Sequence, residues 1–385
     1  MKTETVTSDI DRLRAAFAGF GVRPGTPALA AMSGGVDSAV ATALAVRAGT
    51  RAVGVTMRLF TPGSGDIAEK TRQCCGPTAF EDARSVAASL GIPHHVVNFE
   101  AAFHRAVVDY FCDEYLAGRT PNPCVACNNL VKFGALLDFA RAVGATTMIT
   151  GHYARITNEA DGTHLRRAVD RTKDQSYMLA GLRGDQLASV VTPLGDRTKE
   201  ATRTAARELA IGIADKPDSM DLCFVDGDYR KFILERHPDA AIAGPLVTVD
   251  GREVGAHDGL LGYTVGQRRG IAASGLGDGP WYVVKTDRTA NAVVIGRRED
   301  LERDEISCSR PNVLRPELFE RALRVDGLLA VCRYRSKPLA ANASLEGGRL
   351  VVRLREPAPV VSPGQLLVLY DTTGDEVVAS GIIEA

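Results

Sequence analysis

Three groups of residues have the types and the spacing from which chemistry can be predicted. The first is the string SGGVDS at residues 33–38, the second is the pair Cys124 and Cys127, and the third is Cys223. Consecutive glycines let backbone N–H groups point into one concavity, which suits a phosphate group. A cysteine thiolate is both a nucleophile and a ligand for soft metal ions. The sequence therefore predicts a phosphate site and a thiol site.

The segments around the glycine loop predict how it is positioned. PALAAM (27–32) predicts a buried strand and SAVATALAVRAG (38–49) predicts a helix, so the loop would lie at a helix N-terminus with its partial positive charge. No GK[ST] follows, so this is not a Walker A loop and it supplies no lysine for a γ-phosphate. The lack of such a lysine is consistent with a reaction at a part of the nucleotide other than the γ-phosphate. On the glycines alone, a plain strand-to-helix turn remains an alternative.

The order of the remaining segments predicts the fold class. Up to about residue 215, β-like runs alternate with helical patterns, which predicts an α/β domain with a doubly wound parallel sheet. From about residue 225, Gly and Pro punctuate short β-rich runs, which predicts two small barrel-like or sandwich-like modules. The predicted domains are 1–225, 226–304 and 305–385. The predicted strands of the first domain are 27–32, 51–60, 94–100 and 145–152, and the predicted helices are 38–49, 78–91, 101–118 and 130–144.

Composition limits the classes of function. The chain has 385 residues, 45% of them hydrophobic, and a formal net charge of −1, which argues against wholesale wrapping of nucleic acid but permits a local basic patch. No run approaches 18 apolar residues and the N-terminus is polar, so we expect a cytoplasmic protein without a membrane anchor. The eight cysteines are then expected to be thiols or metal ligands. Cys124-x-x-Cys127 alone fits half a zinc site, a redox pair or coincidence.

Longer motifs carry a family resemblance. SGGVDS between a strand and a helix resembles the PP-loop of the ATP pyrophosphatase superfamily, whose members cleave ATP between the α- and β-phosphates. The strings TPNPCVACN, GHYARI, KDQSYML, KPDSMDLCF, GYTVGQRRG, RYRSKP and SPGQLLVLYD occur in this order. Together they resemble the bacterial tRNA-specific 2-thiouridylase family over nearly the whole chain. The resemblance implies a PP-loop domain, a central β-rich domain and a C-terminal β-barrel.

The resemblance also implies a reaction and its ATP site. The implied activity is that of a tRNA-uridine 2-sulfurtransferase: ATP adenylates O2 of the wobble uridine in the anticodon arm, and sulfur then replaces that oxygen at C2. The products are 2-thiouridine, AMP and pyrophosphate. The implied cofactors are ATP and Mg²⁺, with Asp37 helping to hold Mg²⁺ or pyrophosphate. The implied ATP-binding residues are Ala31, Met32, Ser33, Gly34, Gly35, Val36, Asp37, Ser38, Met57 and Gly151.

Two routes for the sulfur follow from the resemblance. In the first, Cys223 carries a persulfide from a sulfur-relay protein or a cysteine desulfurase, and Cys127 is the nucleophile that helps release it. In the second, Cys124, Cys127 and Cys223 ligate an iron–sulfur cluster, a [4Fe–4S] cluster, with one iron open for hydrosulfide. The second route gains support because some family members have Asp where this chain has Cys124. A disulfide between Cys127 and Cys223 is a third state of the same residues.

Further residues match family positions that contact tRNA. These are Asn122, Pro123, Cys124, His152, Lys173, Asp174, Gln175, Arg333, Tyr334 and Gln365. Cys74 and Cys75 match a family pair for which we predict no role, and Met220 stands where the family usually has Gln. Two other functions remain open from the residues: a ligase that adenylates a small metabolite, and a tRNA-binding or metal-binding protein that retains the loop without catalysis.

Overall fold

The structure is a computed structural model. It describes residues 2–20, 24–60, 77–217, 222–225, 227–277, 279–322 and 327–384. Contacts between residues divide the chain into two compact units. The loop unit consists of Met1–Ala106, Cys124–Phe224 and Asp375–Val377, and the barrel unit consists of Val107–Pro123, Val225–Gly374 and Val378–Ala385. The finer division into domains 1–225, 226–304 and 305–385 stays a prediction.

Short helices connect the strands throughout the described residues. They are α1 (Lys2–Gly19), α2 (Val36–Arg47), α3 (Pro77–Ser89), α4 (Glu100–Phe103), α5 (Tyr110–Leu116), α6 (Pro123–Ala126), α7 (Leu136–Ala142), α8 (Ser176–Leu179), α9 (Gly184–Leu187), α10 (Lys199–Glu208), α11 (Tyr229–Leu234) and α12 (Pro316–Ala322). π-Helical stretches at His104–Asp109 and Cys127–Ala135 follow α4 and α6. Among the helices that the structure describes, none has the length and apolar content needed to cross a membrane.

The strands form separate sheets in the two units. They are β1 (Pro27–Ala31), β2 (Arg51–Arg58), β3 (His94–Asn98), β4 (Thr147–Ile149), β5 (Ala154–Glu159), β6 (Gly162–Arg167), β7 (Val190–Val191), β8 (Gly244–Thr248), β9 (Glu253–His257), β10 (Tyr282–Asp287), β11 (Ala292–Gly296), β12 (Arg303–Val313), β13 (Leu328–Val331), β14 (Leu339–Glu346), β15 (Arg349–Ala358), β16 (Leu366–Tyr370) and β17 (Val377–Ile383).

A parallel sheet organises the loop unit, as the alternation predicts. Its strand order is β3-β2-β1-β4-β7, and Ala30 at its centre pairs with Gly54 on one side and Ile149 on the other. The alanine-rich helix α2 is buried in the core beside this sheet, because small side chains permit close packing. The chain leaves β1 toward β2 on one side, and β4 lies on the other. The carboxyl ends of β1 and β4 therefore form the crevice where α/β sheets bind ligands.

The barrel unit is β-rich, which confirms the predicted fold class. Strands β10-β11-β8-β9 form a four-stranded sheet, and β12-β15-β14-β13-β16-β17 form a closed barrel. The barrel interior holds a cluster of aliphatic side chains that includes Leu350, Leu367 and Leu369, and also Cys308. Alternation of inward apolar and outward polar residues along β14 and β15 is the pattern that closes such a barrel.

Two parts of the α/β pattern differ from the prediction. The helix predicted at 130–144 begins at Pro123, because proline is favoured in the first turn of a helix and its fixed φ starts one. The polar run Cys127–Asn129 lacks the apolar spacing by which a helix is recognised, so the prediction began too late. The hairpin of β5 and β6 was missed altogether, since its residues are mostly polar.

Candidate active site

The glycine loop joins the end of β1 to the start of α2, and its own side chains hold its shape. The Ser38 hydroxyl accepts a hydrogen bond from the Ser33 N–H at 3.1 Å and donates one to the Gly35 carbonyl at 3.0 Å. Gly34 has φ +67°, and a Cβ there would lie 2.3 Å from the Ala79 carbonyl oxygen. Only glycine therefore permits both this backbone conformation and the close approach of α3.

The Asp37 carboxylate is held by two residues from distant parts of the chain. Lys199 Nζ lies 2.7 Å and 2.8 Å from its two oxygens, and the Tyr153 hydroxyl donates to one of them at 3.0 Å. Lys199 is the first residue of α10, whose cap Thr198 accepts a hydrogen bond from the Ala201 N–H. The loop lacks a lysine of its own, and this contact supplies a cation from outside it.

A second lysine connects the loop to the segment before Cys223. Lys216 Nζ donates to the Gly34 carbonyl at 2.9 Å and lies 2.6 Å from an Asp82 carboxylate oxygen on α3. The Arg203 guanidinium, on α10, donates to the Lys216 carbonyl at 3.1 Å. Helix α10 thus fixes the loop through Lys199 and the start of the Cys223 segment through Arg203. Sequence reasoning missed these contacts, as it missed Tyr153.

A cavity of about 200 Å³ opens at the carboxyl ends of β1, β2 and β4. A Cβ on Gly151 would lie 2.6 Å from Asp37 C and Ser38 N, so glycine is required where the end of β4 meets the start of α2. The cavity brings together seven of the predicted ATP residues, whereas Gly34, Gly35 and Val36 shape the loop without lining it. The cavity wall consists of Ala31, Met32, Ser33, Asp37, Ser38, Val55, Met57, Lys132, Phe133, Leu136, Met148, Thr150, Gly151, His152 and Gln175.

His152 lines the cavity as a neutral imidazole. Its Nδ1 lies 2.7 Å from Thr150 Oγ1, and its ring stands 5.5 Å from the Phe133 ring. Burial, and to a smaller extent the positive charge of Lys132, together lower the pKa of His152 to about 3. The side chain is therefore uncharged near neutral pH and can form hydrogen bonds with a ligand without adding charge.

The predicted tRNA residues Lys173, Asp174 and Gln175 lie in the turn before α8. The Asp174 carboxylate accepts hydrogen bonds from the Ala168 and Ser176 N–H groups at 2.9 Å and 3.1 Å, and burial raises its pKa. These contacts fix the turn from within. Gln175 Oε1 accepts from the Tyr153 N–H at 2.9 Å, which holds the amide at the cavity edge. Contact of these residues with tRNA stays a prediction.

The three candidate cysteines carry thiols and differ in exposure. Cys124 on α6 is exposed, Cys127 at the start of the π-helical stretch is buried, and Cys223 is intermediate. Residues 127–135 pack against α4, and the Phe224 ring, next to Cys223, lies 5.7 Å from the Phe103 ring on α4. One short helix therefore contacts both cysteine-bearing segments, and the convergence of the Cys127 and Cys223 thiols stays a prediction.

These thiols are not arranged as a site for a single metal ion. Among the described residues, the group of three side chains whose ligand atoms lie within 4.8 Å of one another is Glu159, Asp161 and His164, remote in sequence from the cysteines. Cys74, Cys75 and Met220 lie outside the described residues.

The other predicted tRNA residues belong to the barrel unit. Gln365 Nε2 donates to the Thr120 carbonyl at 2.7 Å, which places Gln365 beside the segment that leads to Asn122 and Pro123. Arg333 and Tyr334 lie in the loop after β13, where the next residue, Arg335, has φ +62°. A positive φ in a residue other than glycine costs free energy and is frequent at functional sites.

Comparisons with known families cover almost the whole chain. Three family models match: the tRNA methyl transferase HUP domain at residues 27–227, the tRNA methyl transferase PRC-barrel domain at 230–297 and the aminomethyltransferase beta-barrel domain at 304–383. The tRNA-specific 2-thiouridylase MnmA of Carboxydothermus hydrogenoformans is 44% identical over 364 residues, 92% of this chain and 97% of the relative. That of Sphingopyxis alaskensis is 41% identical over 378 residues, 98% of this chain and 96% of the relative.

Solved structures give a more distant likeness. The U34-tRNA thiolase NcsA from Methanococcus maripaludis, solved with its [4Fe-4S] cluster, has a TM-score of 0.38 and 13% identity, with 62% of this chain and 73% of that chain covered. The NMN synthetase from Francisella tularensis has a TM-score of 0.34 and 15% identity, with 57% and 75% covered. These values are too low for either structure to bear on the function.

Proposed function

The chain belongs to the tRNA-specific 2-thiouridylase family, and from this premise we propose that it uses ATP to replace O2 of the wobble uridine of tRNA with sulfur. One observation carries the proposal. The ATP-type loop, the cavity that it lines and both candidate catalytic cysteines lie in one compact unit, with the segments of Cys127 and Cys223 packed against the same helix α4. Their presence in one unit supports the proposal that activation and sulfur transfer occur at one site.

The first step is adenylation of the base. The loop amides and the N-terminus of α2 bind the phosphates of ATP, and Lys199 and Lys216 supply positive charge from either side of the loop. Uridine O2 attacks the α-phosphorus and forms the O2–P bond. The bond from the α-phosphorus to the bridging oxygen breaks, and pyrophosphate leaves with the electron pair. The N3 proton of the uracil passes to water. C2 is then bonded to an adenylated oxygen, which is a good leaving group.

The cavity wall contains one residue of a type that ligates magnesium. Asp37 is the carboxylate that lines the cavity, and carboxylate oxygens are the ligands that Mg²⁺ prefers in sites shared with phosphates. Magnesium bound with ATP would supply charge neutralisation at the β- and γ-phosphates. Lys199 and Tyr153 hold this carboxylate in place by hydrogen bonds, so Asp37 is the residue that would ligate the ion.

The second step is sulfur transfer through persulfide chemistry. We propose that a sulfur-relay protein or a cysteine desulfurase delivers a persulfide to Cys223. Its terminal sulfur attacks C2, the C2–O2 bond breaks, and AMP leaves with the former uridine oxygen. The Cys127 thiolate then attacks the inner sulfur of Cys223, which forms a Cys127–Cys223 disulfide and leaves the outer sulfur on C2 as 2-thiouridine. An external thiol reductant returns the disulfide to two thiols.

An iron–sulfur cluster is the second candidate for sulfur delivery. The observation in its favour is that a third thiol, Cys124, lies one helical turn before Cys127 and is exposed. Residues three apart on a helix lie on the same face, so the pair could serve as two ligands and Cys223 as the third. The cluster route requires the Cys124 thiol and the relay route does not, so the role of Cys124 distinguishes the two routes.

The tRNA substrate is proposed to contact residues of both units. In the loop unit these are Cys124, His152, Lys173, Asp174 and Gln175, and in the barrel unit they are Asn122, Pro123, Arg333, Tyr334 and Gln365. A flipped wobble base would stack on aromatic rings such as those of Phe133 and His152, which line the cavity. A tRNA substrate and a relay partner fit a cytoplasmic enzyme, which we propose as its location.

The descriptions of the family models refer to methyl transfer, and the residues argue against it. A methyltransferase has no use for ATP cleavage at a glycine loop or for the two cysteines whose segments pack against α4. A ligase for a small metabolite would account for the loop but would leave Cys127 and Cys223 without a task.

The test is pyrophosphate release that depends on tRNA. We expect the wild type to release pyrophosphate only with tRNA bearing an unmodified wobble uridine, and Asp37→Asn to lower that rate about 10²-fold or more. Lys285→Met, an exposed lysine of the barrel unit, is the control and should retain the wild-type rate. Release that depends on a small carboxylic acid and not on tRNA would contradict the proposal.

Cys124→Ala separates the sulfur routes. Protein is purified without oxygen, analysed for iron and sulfide, and assayed with and without a persulfide donor. Full activity of Cys124→Ala with the persulfide donor and no bound iron supports the relay. If Cys124→Ala loses both its activity and the iron that the wild type binds, the result supports the cluster.

A further inference from the structure

Lys132 is a cationic residue of the cavity wall that neither the sequence motifs nor the proposed steps have used. Of the residues that line the cavity, all of them described, it is the only lysine or arginine. It shares that wall with Ser33, Asp37 and Ser38 of the phosphate loop. A cation in this position faces the space that the phosphates of a bound nucleotide would fill.

The π-helical geometry places Lys132 in register with Cys127. The stretch Cys127–Ala135 is π-helical, so its hydrogen bonds join residues five apart, and each residue lies one turn from the fifth residue after it. Lys132 is five residues after Cys127 and therefore shares its side of the helix. In an α-helix with 3.6 residues per turn, the two side chains would point about 140° apart. π-Helical turns are rare in proteins overall, and those that occur are often found at functional sites.

The charge of Lys132 affects the pKa of another residue of the cavity wall, His152. It contributes to the lowered pKa of His152, which remains a neutral imidazole near neutral pH. The one carboxylate of the wall, on Asp37, forms an ion pair with Lys199 at 2.7 Å. Lys132 thus gives the cavity wall its positive charge, in the same cavity as Ser33, Asp37 and Ser38 of the phosphate loop.

We propose that Lys132 is a catalytic residue whose ammonium group binds the non-bridging oxygens of the α-phosphate. This inference rests on the proposed function. While O2 attacks the α-phosphorus and pyrophosphate departs, negative charge increases on those oxygens, and Lys132 stabilises it without transferring a proton. When sulfur attacks C2 and the C2–O2 bond breaks, the same group neutralises the departing AMP. One residue would then serve both steps, and its register with Cys127 would bring the phosphate next to the thiol.

The test compares Lys132→Met with Lys132→Arg under single turnover. Removal of one preorganised electrostatic group usually lowers kcat about 10²–10³-fold. We expect Lys132→Met to lower the rates of pyrophosphate and AMP release by that factor, while the dissociation constants for ATP and tRNA change less than about threefold. Lys132→Arg keeps the charge and should recover at least about a tenth of the wild-type rate. Lys231→Met, at a side chain that is 80% exposed, is the control.

Several outcomes would overturn the assignment. Rates of Lys132→Met within threefold of the wild type would do so, as would a loss of tRNA or ATP affinity that accounts for the whole decrease. If Lys132→Met melts far below the wild type, Lys132→Gln is measured in its place with the same two outcomes. Failure of the proposed function is distinguishable, because the wild type itself would then show no tRNA-dependent pyrophosphate release.

Discussion

The cysteines of the barrel and those of the loop unit have the same side chain in opposite environments. Cys308 and Cys332 lie within the barrel core, where burial raises the pKa of Cys308 to about 12 and that of Cys332 to about 11. Cys124 and Cys223 lie on a short helix and a turn, exposed and intermediate. Thiols in the barrel core stay protonated and act as small apolar side chains, whereas Cys124 and Cys223 of the loop unit are accessible to reagents and Cys127 lies buried between them in the chain.

Position in the fold accounts for the different environments of Cys308 and Cys332 on one side and Cys124 and Cys223 on the other. A strand of a closed barrel places every second side chain in an apolar interior, which disfavours the thiolate. Helix starts and turns at the edge of a parallel sheet leave side chains near solvent and near helix N-termini, where a thiolate is favoured. The comparison predicts which cysteines can be replaced without loss of activity.

The largest expected effect is on thiolation. Cys127→Ser and Cys223→Ser should each lower 2-thiouridine formation by about 10³-fold or more, because serine cannot carry or displace a persulfide sulfur. ATP binding, measured by titration calorimetry, should stay within about threefold, since neither residue lines the nucleotide cavity. The matched variant Cys332→Ala should keep thiolation within about twofold and lower only the melting temperature. A fully active Cys127→Ser enzyme would remove the distinction between the two regions.

A smaller effect is expected in alkylation rates. At pH 8, roughly one Cys308 thiol in ten thousand is ionised if its pKa is about 12, against about a quarter for an ordinary exposed cysteine. Iodoacetamide should therefore modify Cys124 at least about 10²-fold faster than Cys308 in the folded protein, measured by peptide mass spectrometry. Unfolding in guanidinium should make the two rates equal. Equal rates before unfolding would contradict the comparison.

The smallest expected effect is on acid stability. His152 has a pKa of about 3 in the folded protein against 6.5 as its ordinary value, so the unfolded chain binds more protons as the pH falls below 6.5. Stability from this group is present above pH 6.5 and falls by up to about 1.4 kcal/mol per pH unit below it. His152→Gln should flatten the dependence of the unfolding free energy on pH between 6.5 and 4, measured by urea titration.

The control for that result is Cys332→Ala, which should keep the wild-type slope because its thiol stays protonated across this range. An unchanged slope in His152→Gln would show that His152 is not the buried neutral group described above.

The sequence predicted the parts of the site that lie close together in the chain. The loop 33–38 is recognisable because glycines and a helix start are local features, and Cys124 and Cys127 share one helix for the same reason. Lys199 was not predictable, because it reaches Asp37 from 162 residues away and only the packing of α10 on α2 brings them together. Lys132 was missed because its relation to Cys127 depends on a π-helical register that no periodicity in the sequence indicates.

The most direct test of the central claim, that the loop activates the same oxygen that the thiols replace, follows one atom. A tRNA is prepared with a heavy oxygen isotope at O2 of the wobble uridine and is thiolated with ATP and a persulfide donor. We expect AMP to carry the heavy oxygen and pyrophosphate to carry none, while the tRNA loses the label as it gains sulfur. Thiolated tRNA together with unlabelled AMP would show that the activated oxygen is not the one that sulfur replaces.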